Sequence, residues 1–203
     1  MDHPIPLQPI QVSPEIELKP VLNQNDEEII NFYLEAWNDK DVRKYIPPPD
    51  IPFPWTIEGS MDFVNSNKPY FKINDCRVLY KIVTTDGMQG DISLIYYPEF
   101  DHYRIGYSLK KSAWGKGLTT VCINKALDYF FNNFSIDKVE TYVDPENTGS
   151  SRVLEKNGFK LLDKKIVTES YRWDEANEIF DSSVIIQTKC KLYSLNKNDF
   201  KLL

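Results

Sequence analysis

The sequence predicts an α/β domain, and three observations predict it. Segments of strand alternation, such as Tyr103-Arg104-Ile105-Gly106-Tyr107-Ser108-Leu109, stand beside segments of helical periodicity. The clearest of the latter is Val121 to Phe131, with apolar Val121, Ile123, Ala126, Leu127, Phe130 and Phe131. Between the two lies a glycine-containing loop, Ser112-Ala113-Trp114-Gly115-Lys116-Gly117-Leu118-Thr119-Thr120. Downstream the alternation recurs. Lys138 to Val143 reads as a strand, Asp144-Pro145-Glu146-Asn147 ends it, Ser150 to Lys156 is a short helix, and Asn157-Gly158 stops that helix before a strand at Phe159.

The elements before the loop follow in order. Residues 1–14 form a proline-rich N-terminal arm, and residues 15–203 a single domain. Ile16-Glu17-Leu18-Lys19 starts the first strand, which Pro20 either ends or places at a sheet edge. Asn25-Asp26-Glu27-Glu28 caps a helix with Ile29, Ile30, Tyr33, Leu34 and Trp37 on its apolar face. The proline run from Tyr45 to Trp55 excludes regular structure, and Thr56 caps a second helix through Phe63 and Val64. Cys76 to Val83 and Asp91 to Tyr97 are strands joined by a turn at Asp86-Gly87. After Phe159, Leu161 to Arg172 and Val184 to Leu195 are long strands, joined by an acidic, exposed connection at Trp173 to Glu178.

Composition narrows the function. A 203-residue chain with 41% hydrophobic residues can bury one sizeable core. A net charge of −6 argues against a general nucleic-acid or anionic-membrane binder and is compatible with a cationic amine or basic peptide as partner. Cys76, Cys122 and Cys190 are too far apart for a metal motif and read as buried free thiols; with only His3 and His102 besides, no metal is expected. With no leader-like start and no membrane-length apolar run, a cytoplasmic protein is expected, a nuclear one being equally compatible.

A glycine loop opening a helix offers unpaired backbone N–H groups and the positive end of the helix dipole, which suits a phosphate. This loop lacks the P-loop arrangement and has Thr120 where a dinucleotide-binding loop has its third glycine. A nucleoside triphosphatase and a nicotinamide enzyme are therefore disfavoured.

Three stretches, Ile105-Gly106-Tyr107, Trp114-Gly115-Lys116-Gly117 and Asn147 through Phe159, together resemble the GNAT superfamily of N-acetyltransferases. The likeness is strongest to its branch acting on ribosomal-protein N-termini, and its motifs cover about a quarter of the chain. It implies a mixed, mostly antiparallel central sheet flanked by helices, with acetyl-coenzyme A in a splayed gap between the strands either side of the loop and its helix. The pyrophosphate is then expected on the backbone of Gly115, Lys116, Gly117 and Thr119 with Thr120, and the pantetheine along Tyr107 and Leu109. Asn147 and Ser150 are expected at the thiol end, with a helix cap and a first-turn residue as their purely structural readings.

Two departures from the family bear on catalysis. Leu154 stands where many members have a proton-donating tyrosine, so Ser150 becomes the candidate to hydrogen-bond the leaving thiolate. Arg104 stands where a glutamate base often precedes Ile-Gly-Tyr; nearby alternatives are Glu99, Asp101, His102 (read as a solvated turn residue) and Glu140, and none is singled out. Deprotonating a lysine amine at neutral pH costs about 4.6 kcal/mol, against about 1 kcal/mol for an α-amine. The expected acceptor is thus an α-amino group of a protein or peptide, or a small-molecule amine. Phe53 and Trp55 are placed either at the acceptor wall or in the core. The alternative function is a degenerate member that binds coenzyme A or acyl-coenzyme A without turnover. A monomer and a homodimer are both compatible.

Overall fold

The computed structural model describes residues 3–23, 25–46, 54–98, 101–174 and 179–203. Its strands are β1 (Ile5–Pro6), β2 (Ile10–Ser13), β3 (Ile16–Pro20), β4 (Tyr70–Phe71), β5 (Arg77–Thr84), β6 (Gly87–Tyr97), β7 (His102–Leu109), β8 (Lys138–Val143), β9 (Lys160–Asp174) and β10 (Ile179–Asn196). Its helices are α1 (Glu27–Ala36), α2 (Lys40–Arg43), α3 (Ile57–Asn65), α4 (Leu118–Asn133) and α5 (Thr148–Lys156). Among the described residues, eight strands make one sheet in the order β2-β3-β5-β6-β7-β8-β10-β9, and β1 pairs with β4 apart from it. Neighbours in the large sheet run antiparallel except β7 and β8, which are parallel.

Helices cover both faces, which is why the central strands lack a polar side. Along β5, the residues from Val78 to Ile82 are all buried, Lys81 included. On one face α4 lays Cys122, Ile123, Ala126, Leu127, Phe130 and Phe131 against Tyr80, Ile92, Leu94 and Ile105. Burying each large apolar side chain contributes about 1.5–3 kcal/mol before entropy is counted. On the other face Ile29, Tyr33 and Trp37 from the α1 segment join Trp55, Val64, Leu79 and Met88 in a second core.

Local signals set the helix ends. The Asp26 carboxylate accepts from the Ile29 N–H at 3.3 Å, and the Thr56 hydroxyl accepts from the Gly59 N–H at 3.1 Å. Cys76, Cys122 and Cys190 are free and buried. Burial pushes the Cys76 and Cys122 thiols up to about 12, so neither is a ready nucleophile.

The N-terminal arm packs on the domain: β2 pairs with β3, and Leu7 and Ile10 are buried. Pro20 ends β3, and of its two readings only the edge position fails: β3 lies between β2 and β5, and Pro20 lies past the last residue paired with β2, so no ladder bond is forfeited there. Other expectations need correction. The hairpin turn is Thr85-Asp86, with Gly87 already opposite Thr84. Helix α2, too short to show periodicity, was not foreseen. Of the acidic connection, Trp173 and Asp174 end β9, and residues 175–178 lie outside the described residues.

Candidate active site

The parallel pair β7–β8 is in register only at Tyr103 with Val139 and Arg104 with Glu140. Beyond that point β7 stays with β6 as far as Leu109, and β8 stays with β10 as far as Val143. The two strands therefore part. Alternate backbone N–H and C=O groups of an antiparallel strand point away from its partner, so those of β7 beyond Arg104 face the gap. A cleft of roughly 670 Å³ occupies it, lined by β7 residues of both parities and by Thr141 to Val143 of β8. Gly106 sits on this strand because a Cβ there would meet Ser93 Oγ at 2.8 Å.

At one end the cleft reaches the loop before α4. Gly115 and Gly117 have φ of +73° and +78°, in the region that favours glycine, and no side chain caps the helix. Trp114 Nε1 donates to the Leu109 carbonyl at 3.2 Å, tying the loop to the end of β7. Trp114, Gly115, Thr119 and Leu109 line the cleft, whereas Lys116, Gly117 and Thr120 stand outside its wall. The Thr120 carbonyl accepts from Asn157 Nδ2 at 3.2 Å, locking α4 to the end of α5.

On the opposite wall Asn147 and Ser150 open α5. Asn147 Oδ1 accepts from the Ser150 N–H at 3.0 Å, so the cap occupies its acceptor and leaves its amide N–H₂ as the free donor type. Ser150 Oγ lies 2.7 Å from Tyr107 Oη, a hydrogen bond that crosses the gap. Burial holds the Tyr107 phenol well above its ordinary value, with Ser150 acting the other way. Leu154 is fully buried in the core and offers no substitute for a phenol.

The far side of the cleft holds a group that sequence reading passed over. Asp91, the register partner of Ser108, is 4% exposed yet lines the cleft. The Ser108 hydroxyl donates to Asp91 Oδ1, and Trp37 Nε1 donates to Ser108 Oγ at 3.3 Å. Burial pushes the Asp91 carboxyl up to about 6, although the hydrogen bond from Ser108 acts the other way. The signal available in sequence was a lone acid opening the apolar strand Asp91-Ile92-Ser93-Leu94-Ile95, which by itself does not tell a cleft wall from a surface.

Comparison with known proteins meets this geometry. Residues 16–160 match the model of the acetyltransferase (GNAT) domain. The chain belongs to the GNAT acetyltransferase family. The uncharacterized N-acetyltransferase p20 of Bacillus licheniformis is 25% identical over 140 residues, covering 68% of this chain and 78% of that protein. A GNAT-family acetyltransferase from Bacillus anthracis superposes with a TM-score of 0.66 at 21% identity, covering 94% of this chain and 99% of that one. An acetyltransferase of Salmonella typhimurium that modifies the N-terminal serine of a 50S ribosomal subunit protein gives a TM-score of 0.66 at 17% identity, covering 93% and 99%. These two likenesses concern the fold.

Within this GNAT domain the remaining site expectations fall unevenly. Trp55 is not on the cleft wall: it is 6% exposed and packs behind Trp37, ring centroids 4.9 Å apart, and Trp37 lines the cleft instead. Phe53 and Glu99 lie outside the described residues. His102 is no solvated turn residue; it begins β7, is buried, and has Nδ1 3.5 Å from Glu140 Oε2. Neither His102, Glu140 nor Asp101 lines the cleft. Lys44 and Glu146, both on its wall, form an ion pair of 3.1 Å that joins the α2 side to the α5 side.

Proposed function

We propose that this GNAT domain transfers acetyl from acetyl-coenzyme A to an α-amino group of a peptide or a comparable low-pKa small amine. The carrying observation is one continuous cleft, which joins an uncapped glycine-opened helix to a buried carboxylate through the gap between β7 and β8. The fit of the cosubstrate rests on features of this chain: the uncapped α4 terminus with its left-handed glycines, and a strand edge left unpaired beyond Arg104.

Acetyl-coenzyme A supplies an activated acetyl thioester when bound. The N–H groups of Gly115 to Thr119 would hold its pyrophosphate, aided by about 0.3–2 kcal/mol from the helix dipole. The open edge of β7 would pair with the pantetheine and polarise the carbonyl with a backbone N–H. Ser150 would hydrogen-bond the departing sulfur, with Tyr107 holding the serine hydroxyl in place. Asp91 would accept the proton that leaves the nitrogen as the new C–N bond forms. A carboxyl near 6 is a modest base, sufficient for an α-amine that is about 1 kcal/mol from its neutral form at pH 7 and poor for lysine.

The test is calorimetric titration with acetyl-coenzyme A, followed by thiol release over a panel of N-terminal, lysyl and small amines. Micromolar binding that Gly117→Glu abolishes, with release favouring α-amines, is the expected result. Binding without release from any amine would leave a coenzyme A-binding protein; fast release on lysine peptides alone would overturn the acceptor class.

A further inference from the structure

We propose that Arg104 forms an anion subsite on the acceptor side of the cleft, so that the acceptor amine carries a carboxylate on a short arm. This rests on the transfer reading above and names its substrate class. The Arg104 guanidinium carbon lies 3.9 Å from the Tyr97 ring centroid and 4.1 Å from that of Tyr142. Held between two rings, the group has a fixed plane, and all three residues line the cleft. Its Nε is buried with no hydrogen-bond partner.

No described carboxylate forms an ion pair with this cation. Its register partner Glu140 is engaged elsewhere, 3.0 Å from Lys138 Nζ and 3.5 Å from His102 Nδ1. A guanidinium is always charged and presents a planar fork of donors that matches a carboxylate. The ring faces stabilise the cation, and although the Tyr142 phenol also interacts with the guanidinium, no described carboxylate occupies its donor fork. The cleft thus offers a preset, partly desolvated positive group to whatever enters from the acceptor side.

Position sets the length of the arm. Arg104 and Ser108 share one face of β7, opposite Ile95 and Asp91, so Arg104 and the Asp91 pair are about 13 Å apart along the strand. The α-carboxylate of a free amino acid lies too close to its own amine to span that separation; an aspartyl or glutamyl side chain at the first or second position of a peptide reaches further. The overall charge of −6 favours a cationic partner at long range, but Arg104 reverses the sign where the acceptor's flanking group lies.

The experiment compares thiol release from acetyl-coenzyme A with peptides carrying Asp or Glu at position one or two against the same peptides with Asn or Gln. Wild type, Arg104→Gln and Arg104→Lys are assayed, and coenzyme A binding checks that each variant is folded. In parallel, the N-acetylated peptides, which cannot react, are titrated into each protein saturated with coenzyme A. Wild type should favour the acidic member in kcat/KM and in product affinity by roughly ten- to hundredfold, the worth of a charged hydrogen-bonded contact. Arg104→Gln should bring that ratio near one, with Arg104→Lys between.

Equal handling of acid and amide by wild type overturns the subsite, as does an unchanged ratio in folded Arg104→Gln. If that variant does not fold, an undiminished ratio in Arg104→Lys overturns it. If no amine releases thiol, the transfer reading fails, and the product titrations alone decide the subsite by the same criteria.

Discussion

Tyr107 Oη and Ser150 Oγ meet at 2.7 Å across the gap between β7 and α5, joining the two walls of the cleft. Leu154 supplies no phenol from α5, but β7 brings one to the opening of that helix. Burial keeps Tyr107 protonated; in the arrangement where the phenol donates to Ser150 Oγ, the serine's own proton is available to a sulfur leaving nearby.

Tyr107→Phe and Ser150→Ala should each lower kcat on the order of 10–100-fold while leaving acetyl-coenzyme A affinity within a few-fold. Acting as one unit, the pair should be non-additive, with the double variant close to the worse single one. Full additivity in steady-state kinetics would show that the two hydroxyls work separately.

As the proposed base, Asp91 would link activity to stability. A carboxyl raised from 3.8 to about 6 binds its proton more tightly folded than unfolded, so its ionisation opposes folding. Relative to an uncharged side chain, the wild type should lose on the order of 3 kcal/mol as pH rises from about 4 through about 6, and Asp91→Asn should not. Urea unfolding across that range checks the sign: the Asn variant should be the more stable protein at neutral pH. It should also lack the acidic limb near 6 in kcat/KM.

At Gly117 a side chain has open space but the wrong backbone conformation, with φ of +78°. Gly117→Val should cost about 1–2 kcal/mol in folding and weaken coenzyme A binding by more than tenfold. Gly117→Asn, whose side chain tolerates this region, should recover much of both. Calorimetry on the two variants separates backbone strain from simple blockage.

Lys81 anchors the start of α1 to β5. Its Nζ lies 2.8 Å from Asp26 Oδ2 and 2.7 Å from Glu28 Oε2, and Asp26 is also the helix cap. Lys81→Met should destabilise by about 1–3 kcal/mol by leaving two carboxylates side by side. Lys81→Met with Asp26→Asn and Glu28→Gln should recover part of that loss in thermal unfolding.

What was legible in the sequence was local. The loop Trp114 to Gly117, the Asn147 cap and the Asp26 and Thr56 caps each depend on residues a few positions apart, and each lies where it was expected. Pairs across the cleft join distant residues: Asp91 with Ser108, Trp37 with Ser108, Tyr107 with Ser150. No periodicity announces such pairs. Trp37 and Trp55 show the same limit: both are aromatic, buried and adjacent, and only packing decides which one faces the cleft. His102 reads as a turn residue because it follows Phe100-Asp101, but β7 begins at it and carries it indoors.

The brief contact between β7 and β8 also bears on how long the protein survives. A sheet joined through two register pairs at its middle is two half-sheets with a seam. Amides from Gly106 to Leu109 and from Thr141 to Val143 that face this seam should exchange with solvent sooner than those bonded to β6 or β10, and slow when coenzyme A fills it. On the proposed reading the cosubstrate is then also a structural stay, and scarcity of the acetyl donor would expose the chain to proteolysis along this seam.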